Sequence, residues 1–251
     1  MAASATETHP AANLMDTVLE AKGLVREYGS VVAVTGVDLS LRQGDFLTIF
    51  GPNGAGKSSL LGMLGGGLRP TNGSVSICGE PVDFSEVDWR YRVGVLSHQG
   101  FLYEQLTAKE NLQFYGQLFG LTELDARIAR GLDQVGLTDR AGSRVGELSH
   151  GMRHRLSLAR TLLHDPDVVL LDEPFTGLDP SATAVLRDVL QQLKDGSRTV
   201  VMVTHNLSEG LELATHITIQ VSGRLAWQGV AAEVDRVGFG RFYHDVVEGQ
   251  T

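Results

Sequence analysis

Gly51-Pro52-Asn53-Gly54-Ala55-Gly56-Lys57-Ser58 follows the apolar run Phe46–Phe50 and leads into a helical pattern. It fills every fixed position of G-x-x-x-x-G-K-[ST], in the strand-then-helix context that gives the motif its meaning. Small residues let the backbone curl so that successive N–H groups face phosphate oxygens. Lys57 adds a point charge toward the β- and γ-phosphates, Ser58 offers a hydroxyl to Mg²⁺, and the next helix presents its positive end. The predicted nucleotide contacts are therefore Gly51, Pro52, Asn53, Gly54, Ala55, Gly56, Lys57, Ser58 and the adjoining Ser59.

Outward from this loop, strand and helix patterns alternate. Phe46–Phe50 is continuously apolar, as a central strand covered on both faces must be. Val168 to Leu171 and Thr199 to Val203 repeat that signature, and Val75 to Ile77 and Val93 to Leu96 are shorter strands. Val37, Leu39 and Leu41 alternate with polar residues, the mark of a half-buried strand. Ile217 to Gln220 and Leu225 to Gln228 flank Ser222-Gly223, a hairpin turn. Thr107 and Glu110 have capping-box spacing ahead of Leu112, Tyr115 and Phe119. Leu124, Ile128, Leu132 and Val135 mark another helix, and Asp179-Pro180 starts a third. The sequence predicts a mixed α/β core with an almost wholly helical subdomain inserted at about 100–163. A hairpin and helix are expected at about 214–251, and a disordered tail at 1–16.

Chemistry gathers at strand ends. Val168-Val-Leu-Leu-Asp172-Glu173 delivers two adjacent carboxylates, which repel and so are poor packing residues. Asp172 suits a water-mediated hold on Mg²⁺, and Glu173 suits polarising an attacking water. His205 ends the next strand, within reach of Glu173 and the γ-phosphate. Gln99 follows the strand at 93–96, placed to meet Mg²⁺ and the nucleophilic water, and Tyr28 is an aromatic that can stack on adenine.

Composition narrows the classes. A net charge of −9 and an isoelectric point near 5.3 argue against a sequence-tolerant nucleic-acid surface. Cys78 is the single cysteine, which excludes an internal disulfide or a cysteine-built zinc site and fits a reducing compartment. No run approaches the roughly 18 apolar residues of a spanning helix. The first fifteen residues lack the basic-then-apolar order of a secretion signal.

With these residues in view, the chain resembles the ATP-binding subunits of ABC transporters over roughly residues 17–230. Tyr28 matches the family's adenine-stacking aromatic, Gly51–Ser58 its Walker A loop and Gln99 its Q-loop. Asp172-Glu173 matches Walker B with the catalytic glutamate, Gly177-Leu-Asp179 the D-loop, and His205 the switch histidine. Leu148-Ser-His-Gly-Met152 falls where the family writes LSGGQ, with His150 in place of glycine and Met152 in place of glutamine. The resemblance implies a P-loop NTPase core with an antiparallel β subdomain, binding ATP and Mg²⁺ and hydrolysing ATP. It implies catalytic roles for Glu173, His205, Gln99 and Lys57, and Mg²⁺ contacts from Ser58, Gln99 and Asp172. It also implies an ATP-dependent head-to-tail dimer, with a second copy or a related chain, in which Ser149, Gly151 and Asp179 reach the partner's nucleotide. Arg153, Arg155 and Arg160 would add positive field there, or form a solvated helix face.

Partners implied are integral membrane permease subunits, with the protein peripheral on the cytoplasmic face of the cell membrane. Phe101, Leu102 and Tyr103 are the candidate docking groove, core packing being the alternative. The LSHGM signature and the DEPFTGLD run look most like the haem-exporter (CcmA-type) ATPases of cytochrome c maturation. Export ATPases of the ABC-2 type, which handle drugs, lipids or polysaccharides, share these features. A non-transport ABC ATPase acting on nucleic acid or protein is the more distant alternative.

Overall fold

The computed structural model describes residues 17–97 and 100–249, so the expected tail at 1–16 and the candidate Gln99 lie outside the described residues. The chain opens with two long strands, β1 (Thr17–Tyr28) and β2 (Val31–Arg42), joined by a tight hairpin. The buried strand β3 (Phe46–Phe50) follows, then α1 (Lys57–Leu64), β4 (Asn72–Ile77) and the short β5 (Glu80–Pro81). These strands build a four-stranded antiparallel sheet in the order β2-β1-β4-β5.

The second sheet holds the chemistry. It contains β3, β6 (Val93–Leu96), β7 (Val168–Asp172), β8 (Thr199–Val203), β9 (His216–Val221) and β10 (Arg224–Val230). Their order is β10-β9-β3-β8-β7-β6, all parallel except the hairpin strand β10. The sheet is covered on both faces, which is why its strands read as apolar runs. Along β7, Val168 and Leu170 face one core with Leu60, Met63 and Leu19, while Val169 and Leu171 face another with Leu112, Ile128 and Leu156. Each of these fully buried aliphatic side chains contributes about 1.5–3 kcal/mol relative to exposure.

The helices expected after residue 100 are α2 (Ala108–Leu118), α3 (Leu124–Gln134) and α4 (His150–Leu162). The capping box is made: Thr107 Oγ1 accepts from the Glu110 N–H at 3.2 Å, and Glu110 Oε2 accepts from the Thr107 N–H at 2.8 Å. Residues 100–107 form a loop instead of helix. Fully buried Asn111 holds it, accepting from the Tyr103 N–H at 2.8 Å and donating to the carbonyls of Tyr103 and Thr107, each at 3.0 Å. A side-chain amide thus replaces the backbone partners a helix would have supplied. Beyond β7, α5 (Pro180–Gln192) and α6 (Leu207–Leu213) flank the sheet, and α7 (Phe239–Glu248) packs through Phe239 on Phe50, Ile217 and Ile219. Among the described residues, no helix is long and apolar enough to cross a membrane.

Candidate functional site

The carboxyl ends of β3, β7 and β8 lie side by side, and the loops leaving them carry Gly51–Ser58, Asp172-Glu173 and His205. The 51–56 loop sits tightly against its neighbours. A Cβ on Gly56 would stand 1.9 Å from the Ala33 carbonyl oxygen, and one on Gly51 would stand 2.2 Å from the Gln220 carbonyl oxygen. Gly56 also holds φ 94°, a left-handed conformation that glycine adopts without penalty. The Gly223 N–H donates to the Ala55 carbonyl at 3.0 Å, fixing the loop to the β9–β10 hairpin.

Lys57 opens α1 from a buried position, its ammonium donating to the carbonyls of Gly51 at 2.8 Å and Pro52 at 2.9 Å. Burial pulls its pKa below the ordinary lysine value, while the carboxylates of Glu173 and Asp172 push it back up. Ser58 Oγ donates to Asp172 Oδ1 at 3.3 Å, so two predicted Mg²⁺ contacts from separate elements do meet. Among the described residues, no cluster of three or more histidine, cysteine or acidic side chains could hold a metal alone. That donor set fits Mg²⁺, which takes one or two protein ligands and completes its shell with phosphate and water.

Glu173 is the most constrained acid of the site. It adopts φ 50°, rare for a residue with a Cβ, and its N–H donates to the Val203 carbonyl at 2.9 Å. His205 Nδ1 lies 2.8 Å from Glu173 Oε2, with the carboxylate side chain 13 % exposed and the imidazole 63 %. The same oxygen is within reach of the Thr204 hydroxyl and the His205 N–H, each at 3.3 Å, and the Thr176 hydroxyl at 3.5 Å. Thr176 and Thr204 were not singled out from sequence, because hydroxyls beside a motif carry no periodic signal. A half-buried, backbone-strained carboxylate with donors massed on one oxygen is oriented, as a group handling a proton must be.

Tyr28 ends β1 with its hydroxyl 3.5 Å from Ser59 Oγ, and the Arg26 guanidinium lies 4.5 Å from its ring centroid. The Ser59 hydroxyl, followed by Arg26, draws the phenol below its ordinary pKa. The ring is therefore fixed beside the start of α1, half exposed and open to a flat ligand.

Other predicted residues go elsewhere. Ser149 is the N-cap of α4, accepting from the Met152 N–H at 3.2 Å, and is not bonded to the 51–58 loop. Gly151 faces Ala182 of α5, where an added Cβ would come within 3.0 Å, and His150 Nε2 lies 3.3 Å from the Cβ position of Gly177. Asp179 caps α5, its Oδ1 accepting from the Ala182 N–H at 2.8 Å. The three arginines do not form a solvated face. Arg153 donates to the Leu148 carbonyl at 2.5 Å, Arg155 to Val135 at 2.5 Å and Arg160 to Val95 at 2.8 Å. Each satisfies a loop, helix-end or strand carbonyl, which a guanidinium fork does well from a half-buried position.

The docking segment splits. Leu102 packs against the core, whereas Phe101 and Tyr103 are 52 % and 47 % exposed, Tyr103 with its ring against exposed Phe114. A cavity of about 230 Å³ lies away from all these residues, between α3 and the end of α4, with Arg127, Arg130, Asp165 and Arg198 among its walls. The phosphate loop, the Ser58–Asp172 pair and Glu173 decide the functional reading, because they supply anion donors, a cation hold and a base together.

Comparison with known proteins agrees with this geometry. The sequence profile described as "ABC transporter" matches residues 34–176. A Nod factor export ATP-binding protein I from Cupriavidus metallidurans is 36 % identical over 222 residues, spanning 88 % of this chain and 73 % of its own. The ABC transporter ATP-binding protein NatA of Bacillus subtilis is 38 % identical over 202 residues, 79 % and 82 % of the respective chains. Among solved structures, a dimeric ATP-binding cassette in a post-hydrolysis state with ADP and Pi superimposes with TM-score 0.77 at 26 % identity, covering 85 % of this chain and 98 % of that one. An ATP-binding subunit of an ABC transporter gives TM-score 0.81 at 26 % identity, covering 92 % and 99 %.

Proposed function

This chain belongs to the ABC transporter family as an ATP-hydrolysing subunit, and on that premise we propose that it powers export through separate membrane permease subunits. ATP is held by Gly51–Ser59 with Lys57 on its phosphates, and Tyr28 stacks on adenine. Ser58 and Asp172, with Gln99 as a further contact, would hold Mg²⁺, which would supply charge neutralisation at the phosphates. Glu173 accepts the proton of the in-line water, and His205 keeps its carboxylate aimed. Catalysis of this kind is positioning plus electrostatics. The observation that carries the reading is the Glu173–His205 pair standing beside a buried Lys57 and the Ser58–Asp172 contact.

The second half of the site comes from a partner protomer arranged head to tail. Ser149 is exposed at the start of the thirteen-residue helix α4, and the exposure and the helix end support this reading. A helix end of this kind is an anion site waiting for charge from another chain. Asp179 and Gly151 lie on the same surface, next to each other through Ala182.

Export is the direction supported by the Nod factor export relatives. The haem-exporter expectation rests on the compact length and the LSHGM and DEPFTGLD runs and draws no support from the relatives reported above. We therefore propose ABC-2-type export without assigning a cargo. Permease subunits dock on Phe101 and Tyr103, which place the protein on the cytoplasmic membrane face. The test is size-exclusion chromatography of Glu173→Gln with ATP and Mg²⁺: a stable dimer is expected, and a monomer under those conditions refutes the shared site.

A further inference from the structure

Gln220 lies on β9 beneath the phosphate loop and is fully buried. Its Nε2 is 3.1 Å from the Cβ position of Gly56, and its backbone oxygen is 2.2 Å from that of Gly51. Neither Nε2 nor Oε1 of this side chain has a hydrogen-bond partner. The other polar side chains on the same strand are satisfied, Thr218 donating to the Trp227 carbonyl at 2.7 Å and His216 Nδ1 lying 3.0 Å from the Thr215 hydroxyl.

A carboxamide brings two donors and an acceptor oxygen. Burying all of them unpaired incurs their full desolvation cost. Native proteins pair the large majority of such groups, so an unpaired one calls for a reason. The backbone neighbours of Gln220 differ in their freedom. The strand residues around it are committed to ladders, Gln220 itself pairing with Leu225. The loop above it is tied at Ala55 by Gly223 and at Gly51 and Pro52 by Lys57, but the N–H groups of Gly54 and Gly56 take no part in those contacts. Gly54 and Gly56 hold φ 81° and 94°, and glycine peptides turn without a side-chain penalty.

We propose that Gln220 is a positioning residue for the phosphate loop: its carboxamide pairs with a peptide group of residues 51–56 when the loop closes on the nucleotide phosphates. Hydrogen bonding withheld in the free protein is recovered on binding, so the residue acts on ATP affinity. It has no contact with Glu173 or His205 and does not act on the chemical step. This inference rests on the reading of 51–58 as the phosphate-holding loop.

The test compares Gln220→Leu and Gln220→Met, the latter keeping the side-chain length should leucine disturb folding. Removing the unpaired amide leaves the melting temperature of the nucleotide-free protein unchanged or higher. The KM for ATP rises roughly five- to tenfold, the worth of one net hydrogen bond. The kcat stays within about twofold, as expected when an interaction serves binding alone. An unchanged KM in both variants overturns the proposal, whatever the melting temperature does, because the residue would then only fill space. A fall in kcat at constant KM overturns it as well. Lys57→Ala run in parallel separates the two levels. If Lys57→Ala keeps ATP affinity, the loop reading itself fails; if it loses ATP while both Gln220 variants bind normally, only this inference fails.

Discussion

His205 Nδ1 meets Glu173 Oε2 at 2.8 Å, the shortest of four contacts that converge on that one carboxylate oxygen. The arrangement leaves rotation of the carboxylate to the histidine's control, since the other three contacts are 3.3–3.5 Å long and weaker. Glu173→Gln should therefore retain ATP but slow turnover by ~10²–10⁴, the usual worth of a general base. Phosphate-release assays at saturating ATP check this. His205→Ala should slow turnover by up to ~10², the cost of misplacing a reacting group by about 1 Å. Equal losses in both variants would mean the histidine takes the proton itself.

Lys57→Ala should abolish the ATP-dependent rise in melting temperature. The buried ammonium also ties the loop to its own carbonyls, so the nucleotide-free protein should lose some stability too. Lys57→Arg should not rescue binding, because a planar fork cannot replace a point charge in this pocket. Thermal melts with and without ATP read the first two, and calorimetric titration with ATP reads the third.

Ser149 has a local role and a proposed intermolecular one, and two substitutions part them. Ser149→Ala removes the α4 cap and should cost about 1 kcal/mol of stability. Ser149→Asp keeps the cap but sets a carboxylate where the partner's phosphate arrives. It should melt like the parent protein and lose turnover by like-charge repulsion. A fully active Ser149→Asp protein would place the phosphate elsewhere.

His164 gives a pH signature. Its ring is stacked on Phe119 with centroids 4.1 Å apart, and burial pushes its pKa down to about 4. The unfolded chain takes up this proton near pH 6.5, the folded chain only near 4, so between those values the unfolded state binds more protons. Stability should be unaffected above about pH 6.5 and fall as pH drops toward 4, by about 3 kcal/mol from this group. His164→Phe, which keeps the stack, should flatten that part of the curve in denaturant titrations at pH 7.5 and 4.5.

Phe101→Ala and Tyr103→Ala should lower recruitment to membranes holding the permease while leaving ATP affinity intact. Leu102→Ala should instead destabilise the fold by ~2 kcal/mol or more, since Leu102 packs on the core. Co-sedimentation with permease-bearing vesicles, beside thermal melts, separates the two.

Much of this was legible in the residues, and the failures have local causes. Strands buried on both faces announce themselves as apolar runs, and the loop motif carries its own chemistry. The strand β1 went unread because its period slips: Leu19 and Ala21 are buried in one phase and Leu24 in the other. Gly23 absorbs the slip at φ 57°, its N–H donating to Asp38 Oδ1 at 2.7 Å. Alternation of period two cannot survive such a bulge. The arginines of α4 depart from a solvated face for a different reason. Their partners are carbonyls of Val95, Val135 and Leu148, and a backbone oxygen leaves no mark on composition.

Arg160 joins two surfaces that the chain order keeps apart. Its guanidinium lies 5.5 Å from the Phe101 ring centroid and 5.2 Å from that of Tyr115, while one end donates to the Val95 carbonyl of the edge strand β6. A load applied to Phe101 therefore arrives, through one rigid planar group, on the strand that leads to residues 98 and 99. The same side chain is a short lever between the outer aromatics and the edge of the parallel sheet.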